Sequence, residues 1–278
     1  MRNGLVSVIV PNLNYGETIE KCLNSILNQT YKNLELLIVD GGSIDSSINI
    51  IESYARRYSQ IKIVSRSDAG QSNAINKGIE SSEGEFITWL NSDDYLSPDA
   101  LEIAVSELEK NMNIGLVYGS VINIGKDGRF MQLNIGQLAP KENIYFHDFI
   151  PQAGSVFRAS LGMRLDESLN WAMDWDLWIR LSKVSNFLGV NEILGYCLIE
   201  NHIERKSNQI CAERTKELLK IKKKYKKVSR LDIIVSIICI KCGEITELVF
   251  RKNNKIYQFI IKFNSKLYRL YARKELMV

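Results

Sequence analysis

Four short, almost uninterrupted apolar segments in the first 90 residues constrain the fold of this chain more than any other feature. They comprise residues 5–10, 34–39, 61–64 and 86–90, and segments with helical spacing separate them. Apolar segments without polar alternation are typical of strands that are buried on both faces of a parallel sheet. Strands that alternate with helices at this spacing predict βαβ units and an open α/β sheet.

The predicted helices between these strands are amphipathic. One carries an apolar stripe formed by Ile19, Cys22, Leu23, Ile26 and Leu27. Another is expected to begin with Ser97 as the N-cap and Pro98 at the first helical position. Further predicted elements are strands at 115–120 and 152–158, a hairpin at 121–133, a helix at 174–184 and helical structure after residue 212.

The charge distribution divides the chain into two regions. Residues 211–278 contain 18 Lys and Arg against 6 Asp and Glu, whereas residues 1–210 contain 18 against 26. We therefore predict a globular domain at 1–210, with halves of about 1–120 and 121–210, and a basic helical region at 211–278.

The composition excludes several classes of protein. With 45% hydrophobic and 24% charged residues, the chain has neither a disordered nor a collagen-like composition. Its best membrane candidate, residues 231–240, has only ten residues and contains Asp232. No signal-peptide pattern and no disulfide framework are evident, which favours a cytoplasmic enzyme. Cys239 and Cys242 have the spacing of half a zinc site, but no second pair follows.

Acidic or turn-forming residues follow three of the four strands, and in open α/β sheets ligands bind at this edge. Asp40 ends the second strand, and Asp93 and Asp94 follow the fourth. Carboxylates that gather at one edge repel each other, and Mg²⁺ or Mn²⁺ shared with a diphosphate would offset this cost. Taken alone, Asp93 and Asp94 more often form an ordinary acidic turn, because short acidic motifs are common, and Asp40 could close an Asx-turn.

Four motifs in collinear order within residues 5–208 give the chain a resemblance to the family 2 glycosyltransferases. They are SVIVPNLNYGETIEKCLNSILNQTYKNLELLIVDGGSIDSS, DAGQSNAINKGIESSEGEFITWLNSDD, QAGSVFR and DESLNWAMDWDLWIRL. The resemblance implies a GT-A fold, an open and mostly parallel α/β sheet flanked by helices, here with a basic helical C-terminal extension. It also implies an inverting transfer of a sugar from a nucleotide diphosphate, with a UDP-sugar as the expected donor, to a hydroxyl group.

The resemblance implies a donor site at the carboxyl ends of the strands. Asp40 is expected to hydrogen-bond the nucleobase in a pocket lined by Pro11, Asn12 and Leu13. Leu13 stands where many relatives have a tyrosine, so one stacking surface is lost. Asp68 is expected to help fix the nucleoside, although it is equally suited to capping the following helix.

The resemblance also implies the metal site and the catalytic base. Asp93 is expected to contact the ribose or the metal-bound phosphate, and Asp94 is expected to bind the Mg²⁺ or Mn²⁺ directly. Asp174 matches the general base, and Met173 replaces the glutamate that often precedes it. Asp176 is the alternative base, since it lies only two residues further on.

A loop histidine that many relatives carry after the base helix is missing here. Ile199 occupies its position, and His202 is either its replacement or an exposed residue. Three tryptophans near the base, at least one of which is expected in the core, are Trp171, Trp175 and Trp178.

The basic segment at 214–240 suits an anionic membrane surface, and the alternative is a solvated helix that packs on the enzyme. No nucleic-acid motif accompanies the charge, so nucleic-acid binding is not expected. By analogy, the acceptor is a glycan or a polyprenyl-diphosphate-linked glycan at the inner membrane face, in cell-surface polysaccharide assembly. The alternatives are a non-catalytic nucleotide or glycan binder of this fold and, with less support, a sugar-phosphate nucleotidyltransferase.

Overall fold

The computed structural model describes residues 1–65, 67–125, 130–134, 141–145, 148–199 and 212–225. These residues fall into two units, one within 1–141 and 149–201 and the other within 142–148 and 202–278. The domain boundary that the sequence predicts after residue 210 stays a prediction.

The described part of the first unit contains a nine-stranded sheet and five α-helices. The strands are β1 (Arg2–Asn12), β2 (Leu34–Asp40), β3 (Ile61–Ser65), β4 (Gly84–Trp89), β5 (Asp94–Leu96), β6 (Ile114–Gly125), β7 (Phe130–Asn134), β8 (Val156–Arg158) and β9 (Asn186–Ile199). The helices are α1 (Ile19–Leu27), α2 (Ser47–Arg57), α3 (Gln71–Ser81), α4 (Ala100–Lys110) and α5 (Met173–Ser182).

The strand order is β3-β2-β1-β4-β8-β6-β9-β5, and β7 pairs with β6. The first four strands are parallel, as the apolar segments predict. Beyond β4 the sheet is mixed, because β8 runs antiparallel to both β4 and β6 whereas β9 runs parallel to β6. The carboxyl ends of β1, β2 and β4 therefore meet at one edge of the sheet.

Helices cover both faces of the parallel half. On one face, α1 buries four residues of its predicted stripe, Ile19, Cys22, Leu23 and Ile26, whereas Leu27 is partly buried. On the other face, α3 lies so close to β1 that a Cβ at Gly78 would overlap the side chain of Ile9. This close contact sets the distance between α3 and β1.

The predicted start of the helix after β5 is wrong by two residues. The helix α4 begins at Ala100 with Asp99 as the N-cap. The carbonyl of Ser97 accepts the Ala100 N–H at 3.1 Å and also Gln29 Nε2 at 2.7 Å, so Ser97 lies in the turn that precedes the helix. The buried Gln29 also accepts the N–H of Leu101 through Oε1 at 3.1 Å. A side chain that is distant in sequence thus satisfies a backbone donor in the first turn of α4.

The predicted strand at 152–158 is only half right. Residues 156–158 form β8, whereas the preceding residues form a turn in which the Ser155 N–H donates to the carbonyl of Gln152 at 3.0 Å. The predicted hairpin pairing of β6 with β7 is confirmed, and its tip at 126–129 lies outside the described residues. The strands β5 and β9 were not predicted.

The described part of the second unit includes the helix α6 (Ala212–Tyr225). Its exposed lysines are Lys216, Lys220, Lys223 and Lys224. Among the residues described, no helix is both long and apolar enough to span a membrane. The segment 226–278, which includes Cys239 and Cys242, lies outside the described residues.

Candidate functional site

The carboxylate of Asp40 is saturated with hydrogen bonds from the protein itself. Its Oδ1 accepts from the N–H groups of Gly42 (3.0 Å) and Ser43 (2.8 Å), and its Oδ2 accepts from Asn12 Nδ2 (2.7 Å) and Ser43 Oγ (2.6 Å). Burial alone would raise the pKa of Asp40, but the donors outweigh it and hold the pKa below its ordinary value. Asp40 is therefore an ionised residue that fixes the ends of β1 and β2.

Asn12 has one buried acceptor that the protein does not satisfy. Its Nδ2 also donates to Ser43 Oγ at 3.1 Å, which fixes the orientation of the amide. Its Oδ1 is buried and has no hydrogen-bond partner among the described residues. Proteins seldom leave a buried acceptor unsatisfied, so a ligand donor at this position would remove an unfavourable feature.

Leu13, Gly41 and Asp68 lie together beside this cluster. The side chain of Leu13 is exposed at the edge of the sheet. A Cβ at Gly41 would lie 2.6 Å from Asp68 Oδ2 and 3.3 Å from Leu13 Cδ1, so the three residues are in close contact. Asp68 Oδ1 accepts the N–H of Gly70 at 2.8 Å and thus also supports the start of α3.

Asp93 and Asp94 follow β4 in a turn that is tied to β1. The Asp94 N–H donates to the carbonyl of Asn91 at 2.9 Å, and Ser92 Oγ donates to the carbonyl of Pro11 at 2.9 Å. Only 7% of Asp93 and 2% of Asp94 is exposed. Two almost fully buried carboxylates thus lie at the same edge of the sheet as Asp40.

The charge of these two carboxylates affects a neighbouring thiol. Burial raises the pKa of Cys22 on α1 well above its ordinary value, and the charges of Asp94 and Asp93 raise it further. Cys22 Sγ lies 3.5 Å from the carbonyl oxygen of Asn91, directly beside the turn. A divalent cation at this turn would offset the repulsion between the carboxylates of Asp93 and Asp94.

The donor set fits Mg²⁺ or Mn²⁺ that is shared with a substrate. Within the described ranges, no group of three or more His, Cys, Asp and Glu side chains is arranged to hold a metal ion. Mg²⁺ is commonly bound by one or two carboxylates together with substrate phosphates and water. Asp93 and Asp94 can supply the protein ligands of such a site.

The first turn of α3 connects the aspartate turn with the start of α5. Gln71 Nε2 donates to Asn91 Oδ1 at 2.8 Å. The next residue, Ser72, has its Oγ 2.8 Å from Sδ of Met173, the first residue of α5. Two consecutive residues of one helix therefore contact both the turn of Asp94 and the residue that precedes Asp174.

The structure gives the two aspartates of α5 different surroundings. Asp176 is fully buried, and its Oδ2 lies 2.7 Å from Nε of Arg180. Asp174 is partly exposed in the first turn of the helix, and its Oδ1 accepts the N–H of Trp175 at 2.8 Å. Asp176 thus forms an internal ion pair, whereas Asp174 is in contact with solvent.

The tryptophans near Asp174 mainly belong to the core. Trp175 is 2% exposed, and Trp178 is fully buried and stacks on Trp89 with ring centroids 5.5 Å apart. This confirms the core role that is expected for at least one of them. Trp171 is partly exposed.

Sequence reasoning missed the polar residues that support the site. The motifs do not point to Ser43, Asn91 or Gln71, because the contacts of Ser43 with Asn12 and of Gln71 with Asn91 join segments that are far apart in the chain. A signal for Asn91 is its place two residues before the pair of aspartates. His202, the candidate replacement for the loop histidine, lies outside the described residues.

Much of the chain is similar to known proteins. The model of a family described as "Glycosyl transferase family 2" matches residues 7–164, which is more than half of the chain. The chain is also 29% identical over 197 residues to the chondroitin synthase of Escherichia coli. The match covers 68% of this chain and 28% of the synthase, so the chain spans less than a third of the length of that relative.

Two solved structures are similar in fold. S. aureus TarS 1-349 in complex with UDP-GlcNAc has a TM-score of 0.63 at 18% identity, over 89% of this chain and 74% of that one. A mannosyltransferase from Pyrobaculum calidifontis in complex with GDP-Man and Mn²⁺ has a TM-score of 0.63 at 16% identity, over 96% and 83%. Both likenesses confirm the fold class that the sequence predicts.

Proposed function

Because the chain belongs to glycosyl transferase family 2, we propose that it moves a sugar from a nucleoside diphosphate to a hydroxyl group of an acceptor. We propose a UDP-sugar as the donor and inversion at the anomeric carbon. One observation carries the proposal: consecutive residues of α3, Gln71 and Ser72, contact the turn of Asp93 and Asp94 and the start of the helix that carries Asp174.

The proposed nucleoside site is the surface of Leu13, Gly41 and Asp68, with Asn12 and Asp40 behind it. Asp40 already accepts four hydrogen bonds from three residues of the protein, so a nucleobase N–H can bind it only by replacing one of them. The buried Asn12 Oδ1, in contrast, is an acceptor that such an N–H would satisfy. The complex of TarS with UDP-GlcNAc, which shares the fold, supports a nucleotide-sugar donor.

The proposed metal ligand is Asp94, and Asp93 contacts the ribose or the metal-bound phosphate. When bound, Mg²⁺ or Mn²⁺ supplies positive charge that stabilises the departing diphosphate. Two observations support the assignment, namely the burial of both carboxylates side by side and the Mn²⁺ in the similar mannosyltransferase complex.

Asp174 is the proposed general base. Its carboxylate takes the proton of the acceptor hydroxyl as the hydroxyl oxygen forms a bond to the anomeric carbon and the bond from that carbon to the diphosphate breaks. The nucleoside diphosphate leaves from the opposite side of the carbon, so one displacement inverts the configuration. The alternative base, Asp176, is unsuited because Arg180 holds it in the interior.

The proposed acceptor is a glycan, free or polyprenyl-diphosphate-linked, in the assembly of cell-surface polysaccharide. The likeness to a chondroitin synthase supports a glycan product. The four exposed lysines of α6 support peripheral binding to an anionic membrane, because each basic residue near such a surface contributes about 1 kcal/mol. The competing proposal is a solvated helix that packs its apolar side on the enzyme.

A non-catalytic binder of the same fold is the second candidate, and the replacement of the usual tyrosine by Leu13 favours it. Incubation with labelled UDP-sugars, Mn²⁺ and a panel of lipid-linked and free glycans separates the two. Release of UDP that requires an acceptor supports the transferase. Binding of UDP-sugars without turnover on any acceptor supports the binder.

A further inference from the structure

We propose that Gln71 is a positioning residue for Asp94 and acts through the amide of Asn91. Gln71 Nε2 donates to Asn91 Oδ1 at 2.8 Å, and Asn91 Nδ2 donates to Asp94 Oδ2 at 3.1 Å. The inference rests on the proposed function, because it concerns the orientation of the carboxylate that is assigned to the cation.

The donor and acceptor roles in this series of hydrogen bonds follow from Asp94. Asp94 Oδ2 accepts from Asn91, so Asn91 presents its NH₂ group to Asp94 and its carbonyl oxygen to Gln71. Gln71 must then present its own NH₂ group. Without Gln71, the side chain of Asn91 would lose the contact that holds its amide plane in place.

The backbone around Asn91 is already held on both sides. Its carbonyl accepts the Asp94 N–H at 2.9 Å and lies 3.5 Å from Cys22 Sγ, while the preceding Leu90 N–H donates to the carbonyl of Ile9 at 2.9 Å. The contact from α3 restricts the side-chain torsions of Asn91, whose Nδ2 in turn donates to Asp94 Oδ2, and so helps to orient the carboxylate before a cation binds.

Outer partners of metal ligands commonly change metal affinity by about 10–100-fold when they are removed. The test is a Mn²⁺ titration of the full chain in the presence of UDP, with free Mn²⁺ followed by its electron paramagnetic resonance signal. Gln71→Met keeps the length of the side chain and removes the donor. We expect it to weaken Mn²⁺ binding by about 10-fold, and Asn91→Ala to weaken it by up to about 100-fold.

Asn73→Ala is the matched control. Asn73 is also an amide on α3, but its Nδ2 donates to Glu167 Oε2 at 3.0 Å and not to the aspartate turn. Its loss should leave the Mn²⁺ affinity unchanged. Gln71→Met and Asn91→Ala are read in the same assay, so either variant that folds tests the inference.

The outcomes distinguish this inference from the function on which it rests. If wild type binds Mn²⁺ in the presence of UDP and Gln71→Met binds Mn²⁺ with equal affinity, only the positioning role of Gln71 is overturned. Wild-type protein that binds no Mn²⁺ in the presence of UDP would overturn the assigned metal site and this inference together.

Discussion

Asn12 Nδ2 donates a hydrogen bond of 2.7 Å to Asp40 Oδ2, across the ends of two adjacent parallel strands whose Cα atoms are in register at this pair. The bond fixes the two strand ends at the same level. It also leaves Asn12 Oδ1 buried without a partner among the described residues, so the edge of the sheet presents an unsatisfied acceptor to a ligand.

Asp40→Asn is expected to weaken UDP binding and to lower the free energy of unfolding by about 1–3 kcal/mol. The new NH₂ group would face donors that now bind the carboxylate, and the amide of Asn12 would lose its anchor. Isothermal titration with UDP and urea unfolding measure the two effects.

Glu35→Gln is the matched control on the same strand. Glu35 is also buried and accepts from Ser7 Oγ (2.7 Å), the Glu83 N–H (2.7 Å) and Lys62 Nζ (3.0 Å), but it lies near the opposite end of β2. Its replacement should also destabilise the protein and should leave UDP affinity unchanged. Equal losses of UDP affinity in both variants would mean that Asp40 acts only through general stability.

The stability of the protein should fall in acid partly because of Asp40. The folded state lowers the pKa of Asp40, so its contribution is complete above the unfolded value of about 3.9 and is lost as the pH falls through the lower folded value. Urea unfolding between about pH 5 and pH 2 should show a smaller loss for Asp40→Asn than for wild type. Parallel curves would contradict this assignment.

Asp174→Asn should lower kcat by about 10²–10⁴-fold, because the general base is lost, and should leave donor binding intact. Asp176→Asn should instead lower the free energy of unfolding by about 1.5–3 kcal/mol, since it breaks a buried bond to Arg180. Initial rates of UDP release and urea unfolding separate the two. Full turnover by Asp174→Asn would exclude Asp174 as the base.

Replacing the four exposed lysines of α6 with Gln should weaken binding to phosphatidylglycerol vesicles by about 10²–10³-fold, given about 1 kcal/mol for each charge. Sedimentation with vesicles measures the effect. The control replaces as many exposed lysines of the first unit, namely Lys21, Lys32, Lys110 and Lys183. If the control weakens binding as much, the net charge and not α6 determines the attachment.

Local patterns predict the parallel half of the sheet well, because strands buried on both faces leave a continuous apolar signature. The strand β9 lacks this signature, since Gly189, Asn191 and Gly195 interrupt its apolar residues. Its conformation depends on pairing with β6 and β5, which is a tertiary effect. The start of α4 was mispredicted for a similar reason, because Gln29 supports it from 72 residues away.

The carboxylates of the site follow from the motifs, whereas the groups that hold them do not. The two aspartates are adjacent in sequence and follow the apolar segment of β4 closely, so their position is predictable. The contact of Gln71 with Asn91 joins a helix to a turn 20 residues later and depends on how closely α3 packs on β1. No spacing rule predicts such a contact.

The most direct test of the account is the thermal stability of the purified chain with UDP, GDP, dTDP or CMP, each with and without Mn²⁺, for wild type and Asp94→Asn. A ligand at 100 times its dissociation constant stabilises the folded state by about 2.7 kcal/mol, which gives a measurable shift in Tm. The account predicts a Mn²⁺-dependent shift with UDP in wild type and its loss in Asp94→Asn. No shift with any nucleotide, or an equal shift in both proteins, would contradict it.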